Sequence, residues 1–515
     1  GFVNNDKCKV ISRITSFTNN FGQTVSATPS TITDVLDAGT DVELQAYRNI
    51  TIEDDINVSA GGAGGNFSMR AGRRITIQAA IDTDNGDLTL DANNCSGVNN
   101  CSNGADRRGD GVGLILIDTG GSIDTGTGDF TATVGDEDNS GDITLRNVTT
   151  TNLVVTNNGT TLGSDILDEG SLTVSGTSAF TTVVSDGVIT LDEAHALTGA
   201  VTLTTNSSST SANATLDNGT TALNLAASTI GGDLTVTSGN LSGITDSGAV
   251  TVGGNLVATT DASNGVIDLG TTTVTGTVAL TTNGSGNATF DNASLNIDLA
   301  ASNVGGDLTV TSGNLSGITD SGTVTVGGNL VATTDASSGV ITLDNLAVDG
   351  TIGFSPHGSG SVTIVNDDGI NFAESTIGGV FTMTADSTVY DANDTIELST
   401  DSSVTGTVVS TTGSTVYYTG SFRHNTSGAI FAAGNTIRET DDSNPRTIAG
   451  SGVANGNLTA TATTGNITQS GALKITGTSS FTTSQTDADI TLQNTSNNFY
   501  DDVTFSTAGT TGNVA

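Results

Sequence analysis

The chain has 515 residues and a formal net charge of −40, from 54 acidic and 14 basic residues; 67 are Gly, 3 are Pro and none is Trp. Such a field repels nucleic acid and anionic membrane, and the longest apolar run, Val112–Ile117, is too short to span a bilayer. Disorder, the rival reading of a Gly-, Thr-, Ser-, Asn- and Asp-rich chain, predicts few β-branched residues and no alternation, whereas Val, Ile and Thr recur here in register.

Residues 1–40 fit the repeat least well. With Lys7, Cys8, Lys9 and Pro29 they read as an irregular first coil, a cap or a junction segment. The absence of a visible signal peptide and the start at Gly1 read as a processed form or a fragment. A continuous β-solenoid is expected over 41–515. Its first rungs are VELQA, NITIEDDINVSA, NFSMRA, RRITIQAAID and GDLTLDA. These are strand-sized alternating pieces separated by Gly and Asp turns, without a helical period. Residues 93–111 carry Cys95, Cys101 and the Arg107-Arg108 pair and read as a loop leaving the coil. In an oxidising compartment Cys95 and Cys101 are the candidate disulfide. Three scattered Cys without a nearby His do not make a zinc site.

The centre of the chain is copied. Gly231–Leu269 returns as Gly305–Leu343, changed only at Ala249/Thr323, Asn264/Ser338 and Asp268/Thr342. Within it, GDLTV at Gly232, GNLVA at Gly254 and GTVAL at Gly276 are evenly spaced, and GDLTV comes again after a longer step, at Gly306. A copied unit of this size is the signature of a solenoid, and apolar residues spaced by two make its rungs strands. Superimposed coils place Leu234, Leu256 and Val278 in one column and Val236, Ala258 and Leu280 in the next. The second copy repeats this with Leu308, Leu330 and Ile352, then Val310, Ala332 and Phe354. The fold expected is an all-β, right-handed parallel β-helix of about 22 residues per coil with longer loops. At a spacing of about 4.8 Å the whole chain would make about twenty coils and a rod of roughly 100 Å.

A marker, Gly-x4-Thr-Thr, recurs at Gly176, Gly199, Gly254, Gly276, Gly328, Gly406 and Gly477, and reads as corner, strand and strand exit. Residues 413–450, with Tyr417, Tyr418, Arg423, His424 and Pro445, are less regular and suggest a second loop insertion.

Two stretches, Leu44–Ala92 and Gly477–Phe505, resemble the repeats of filamentous-haemagglutinin-like surface proteins. The resemblance implies a right-handed parallel β-helix and a bacterial exoprotein, often an adhesin. It covers the coil grammar of most of residues 40–515. The NPNG- and NPNL-type segments of that family's secretion domain do not occur, and no binding residue carries over.

Chemistry is sparse. Asp54-Asp55, Asp367-Asp368, Asp441-Asp442 and Asp501-Asp502 read as solvated turns in a chain with so much Asp, and His195, His357 and His424 are far apart. Neither a calcium β-roll nonapeptide nor an EF-hand occurs. Asp246 and Asp268, one coil apart, would face a cation, but Thr342 replaces one partner in the second copy, which leaves weak surface calcium binding and no cofactor. The sequons at Asn49, Asn66, Asn213 and Asn287 read as products of composition.

The expectation is a secreted or cell-surface, non-catalytic structural or adhesive solenoid of a bacterial surface or matrix. The alternative is a polysaccharide-binding or polysaccharide-cleaving β-helix. A glycan or cell-surface receptor is the outside partner expected. The chain would also associate end to end, as a stretch of a longer molecule or as a filament subunit with Cys8 placed to lock the junction; both explanations stay open.

Overall fold

The computed structural model describes residues 8–11, 27–46, 48–94, 111–137, 139–366 and 478–515, and between 370 and 475 chiefly the strands. Cys95 and Cys101, and most of 413–450, lie outside the described residues. The fold is an all-β parallel β-solenoid of about 15 turns, with about 23 residues per turn. Two compact units divide it, Gly1–Gly276 and Thr277–Ala515.

Up to Thr204 the coils of the first unit share one side of five-residue strands, and the strands on their other two sides vary from two to six residues. The long strands Val42–Ala46, Phe67–Ala71, Leu88–Ala92, Phe130–Val134, Leu153–Asn157, Ser178–Thr182 and Ala200–Thr204 stack in parallel, one per coil. Val42, Phe67, Leu88, Phe130 and Leu153 form one unbroken column. Alternation sends every second residue inward, so Phe67, Phe130 and Phe180 have no exposed surface. Each buried apolar side chain of this kind contributes about 1.5–3 kcal/mol. One short side is a six-stranded sheet that starts at Ile56–Asn57 and ends at Ala196–Leu197.

Two features precede the first coil. Cys8–Ile11 pairs antiparallel with Val42–Ala46, placing Cys8 opposite Ala46, whereas the other described strand pairs are parallel. Pro29–Leu36 is an α-helix with Ile32 and Leu36 fully buried. The sequence reading missed this helix. Its signals are a Thr28-Pro29 start, Pro being pre-shaped for the first turn, and apolar residues four apart.

The long side then changes place. The long strand Ala200–Thr204 is followed in the next coil by two short strands, Leu223–Leu225 and Ser228–Ile230. The short strand Ile189–Leu191 is followed by Ala214–Asp217 and then by the long strands Leu234–Ser238 and Leu256–Ser263. The second unit does this twice. Val278–Asn283 is followed by Ile297–Leu299 and Ser302–Val304, and the long strands become Leu308–Ser312, Leu330–Thr334 and Thr351–Pro356. After Val362–Asn366 the long strand is Phe381–Ala385, back on the sheet of Val278–Asn283. These side changes account for the longer step in the repeat.

Most partners of the expected columns are in register. Leu234 pairs with Leu256 and Val236 with Ala258 in the first unit. In the second, Leu308, Leu330 and Ile352 align, as do Val310, Ala332 and Phe354. Val278 and Leu280 are buried as well, and none of the twelve is more than 2% exposed.

Candidate functional site

The polar side chains most able to do chemistry are the carboxylates, and the structure spends them on neighbouring coils. At strand entry, just before the first inward residue, an Asp or Asn oxygen accepts the backbone N–H of the equivalent residue one coil on. Asp41 accepts from Asn66, Asn66 from Asp87, Asp87 from Asp129, Asp129 from Asn152 and Asn152 from Thr177, at 2.9–3.1 Å. Further along the first unit Asn213 accepts from Asp233, and Asp233 from Asn255. In the second unit the run is Asn287, Asp307, Asn329 and Thr351. A Cβ at Gly254 would strike the Asp233 Oδ1 of the coil before it, and Gly176, Gly276 and Gly328 meet a ladder oxygen in the same way, whereas Gly199 lies against the Gly176 backbone.

A second device is a fork. Asp168 accepts the N–H groups of Asp192 and Glu193, Asp246 those of Gly270 and Thr271, and Asp320 those of Asp344 and Asn345. Asp246 also accepts the hydroxyls of Thr271 and Thr272, while the Asp268 side chain is exposed. Asp268 is in register with Thr245, one residue short of Asp246, so the two carboxylates do not form one column. Among the described residues no group of three or more His, Cys, Asp or Glu is placed to hold a metal ion.

The second Thr of the marker points inward and closes the turn after the strand. The hydroxyls of Thr182, Thr260, Thr282 and Thr334 donate to the carbonyls of Gly187, Gly265, Gly286 and Gly339 at 2.6–3.3 Å. The sequons follow from the same grammar. Asn66, Asn213 and Asn287 are ladder residues, each followed by one inward apolar residue and one outward Ser or Thr.

Of the three histidines, His195 is enclosed. Its side chain and that of Asp168 have no exposed surface and approach to 3.2 Å through Nε2 and Oδ2, a contact not aligned as a hydrogen bond. The Leu172 N–H donates to Nδ1 at 3.1 Å, which places the ring hydrogen on Nε2. A general acid or base has to come within hydrogen-bond reach of a substrate proton. This pair meets only protein. His357 is exposed, and His424 lies in a short strand, Arg423–His424.

Burial pushes four carboxyls above the ordinary range. Asp142 and Asp165 are raised chiefly by desolvation; the Val188 amide pulls Asp165 back, and the charges of Asp142 and Asp186 push it up again. Desolvation also raises Asp320, against the amides of Asp344 and Asn345, and Asp91, against Asn94 and Arg70.

Compared with protein-family models, residues 127–204, 211–267, 285–352 and 432–506 match a family described as repeats of unknown function (DUF5649), over more than half of the chain. The chain belongs to this DUF5649 family. The DUF5649 segments contain the Asp129, Asp233 and Asp307 ladder positions and all three forks' acceptor carboxylates. They support a repeat solenoid; the filamentous-haemagglutinin resemblance stays one of coil grammar. Comparison with curated proteins and with solved structures gave no match. Among the described residues no helix is long and apolar enough to cross a membrane.

Proposed function

We propose that this chain is a secreted or cell-surface structural or adhesive solenoid, a non-catalytic fibre segment of a bacterial surface or extracellular matrix. The observation that carries this reading is the use of the Asp and Asn side chains. Groups that would serve a β-helix hydrolase as acid, base or metal ligand instead accept amides from the next coil. Such a chain gains length by adding coils, and its negative charge keeps a long surface soluble.

The experiment is to immobilise the purified protein and expose it to bacterial and host cells and to a panel of polysaccharides. Saturable retention without release of new reducing ends supports the adhesive reading. Catalytic shortening of a polysaccharide, abolished by a single Asp→Asn substitution, would replace it with the enzymatic one. On the same reading the solenoid continues end to end, along a longer chain or between copies, and electron micrographs distinguish single rods from filaments.

A further inference from the structure

Stacking a coil on its neighbour satisfies every backbone group only while long lies on long and short on short. At each side change that match fails in two places. Where two short strands sit on a long one, the chain bends between them and the middle N–H of the long strand loses its strand partner. Where a long strand sits on two short ones, the end of the second short strand has no backbone beside it. A buried peptide group left unpaired is costly, so something must replace the missing backbone.

Two buried side chains do so. Ser228 Oγ accepts the Leu203 N–H at 3.0 Å and donates to the Ala226 carbonyl at 2.8 Å. Ser302 does the same for Leu280 and Ala300, and Ser375 for Phe354 and Ala373. At the other place stands an asparagine. Asn218 Oδ1 accepts the Leu197 N–H at 2.9 Å, and its Nδ2 donates to the carbonyls of Leu197 and Ala222 at 3.1 and 2.9 Å. Leu197 closes the six-stranded sheet, so the amide stands in for the strand residue that would have continued it. Asn366 repeats this on Val348, with its Oδ1 accepting the N–H at 2.9 Å and its Nδ2 donating to the carbonyl at 3.2 Å. Asn292 sits at the corresponding point between them, donating to the Asn296 carbonyl. All three asparagines have no exposed surface.

We propose that these pairs, Asn218 with Ser228, Asn292 with Ser302 and Asn366 with Ser375, are the switch that moves the long strand from one side of the coil to the other. The three asparagines recur at one constant interval, which the first two serines share. The coils that follow, which keep their side, carry different residues there; Asn157, buried at the same strand end in an earlier side-keeping coil, instead turns its Nδ2 to the Gly141 and Asp165 carbonyls and accepts the Gly159 N–H. The strand position after Asp217, where Asn218 stands, becomes Ser238 and then Thr260, whose hydroxyls close local turns. The Ser228 position becomes Val250, and the Ser302 position Val324. A hydroxyl cannot offer an amide's spaced donor and acceptor, and Val offers neither. The switch goes beyond the structural or adhesive reading and does not depend on it, since it concerns which strands meet.

The test reads that neighbourhood directly. Thr215→Cys with Thr235→Cys joins strands that meet only when the side has changed, and Thr131→Cys with Val154→Cys joins strands on a coil that keeps its side. Oxidation followed by peptide mass mapping gives each yield apart from the native cysteines. Asn218→Leu with Ser228→Val is expected to lower the first crosslink about tenfold, from the loss of several buried hydrogen bonds, and to leave the second unchanged. Ser228→Val alone, which installs the residue of the side-keeping coils, should lower the first several-fold. Undiminished yield at 215–235 overturns the switch. Loss of both crosslinks also overturns it, because the side chains would then be plugs needed for folding in general.

Discussion

Gly231–Leu269 and Gly305–Leu343 are nearly the same sequence in two different units, and they fold alike down to details that do not depend on burial. Leu241 and Leu315, at the tip of the same turn, are 65% and 64% exposed, and Gly243 and Gly317 have φ of +61° and +67°. The informative positions are those that differ. Asn264 and Ser338 both have φ of +67°, although Asn accepts the left-handed region far more readily than Ser. The coil therefore dictates the turn, and the residue adapts to it. The forks teach the same lesson. Asp246 and Asp320 reach the corresponding two amides of the next coil, but Asp246 gains two Thr hydroxyls where Asp320 meets Asp344.

The sharpest way to break the equivalence is in the core. Leu256→Asp and Leu330→Asp each bury an unpaired charge in the same column position and should each cost several kcal/mol, read as a large fall in thermal unfolding temperature. An unchanged temperature for either would mean that the column is misaligned. Next in size are the forks. Asp246→Ala leaves two amides and the Thr272 hydroxyl without their acceptor, while Thr271 keeps the Gly248 carbonyl, and Asp320→Ala leaves two amides, so both should destabilise by about 0.5–1.5 kcal/mol, with Asp246 the larger. Equal losses in denaturant titrations would show that the hydroxyl bonds contribute nothing.

What the sequence disclosed follows from what alternation can encode. Leu234-Thr-Val236 announces a strand and an inward face by itself, and the near-identical copies fix which coils align. Bonds between successive coils are invisible until those coils are superimposed, so Asp87, Asp129 and Asp233 read only as turn residues. Asp168 and His195 are distant in sequence and meet across adjacent coils, hidden for the same reason. The side change was hidden because its sequence diverges: ATLDN ends at Asn218, ATFDN at Asn292 and VTIVN at Asn366, and only spacing joins the third to the others. The helix at Pro29–Leu36 is too short for a period search and is set by the burial of Ile32 and Leu36.

A gentler probe is pH. Asp91, Asp142 and Asp165 in the first unit and Asp320 in the second are raised above their unfolded range, so the folded chain holds protons there that the unfolded chain has lost. Their contribution to stability falls as pH rises from the ordinary carboxylate range through the folded values, and is regained on acidification. Unfolding temperature should therefore rise as pH is lowered toward the ordinary carboxylate range. Asp142→Asn with Asp165→Asn should flatten that slope more than Asp320→Asn does, because two raised groups are removed instead of one. A slope that the double substitution leaves intact would assign it to the general charge of −40.

The smallest expected effect bears most directly on the two copies. At Ser338 the φ of +67° costs a side chain that has no preference for the left-handed region, whereas at Asn264 the same angle is tolerated better. Ser338→Asn should thus stabilise the second unit and Asn264→Ser destabilise the first, each by a few tenths of a kcal/mol. Ser338→Gly relieves the strain fully but frees the unfolded chain, so its gain should stay below about 1 kcal/mol. One contact works against the exchange. Ser338 Oγ lies 2.7 Å from Ser359 Oγ in an exposed pair, and both substitutions remove it. An exposed hydroxyl pair contributes little when water can replace either partner, so the backbone angle should decide the sign. If Ser338→Gly and Ser338→Asn both lower the unfolding temperature, the hydroxyl pair outweighs the strain. The turn would then be held by its side chains, and the coil would not be what dictates it.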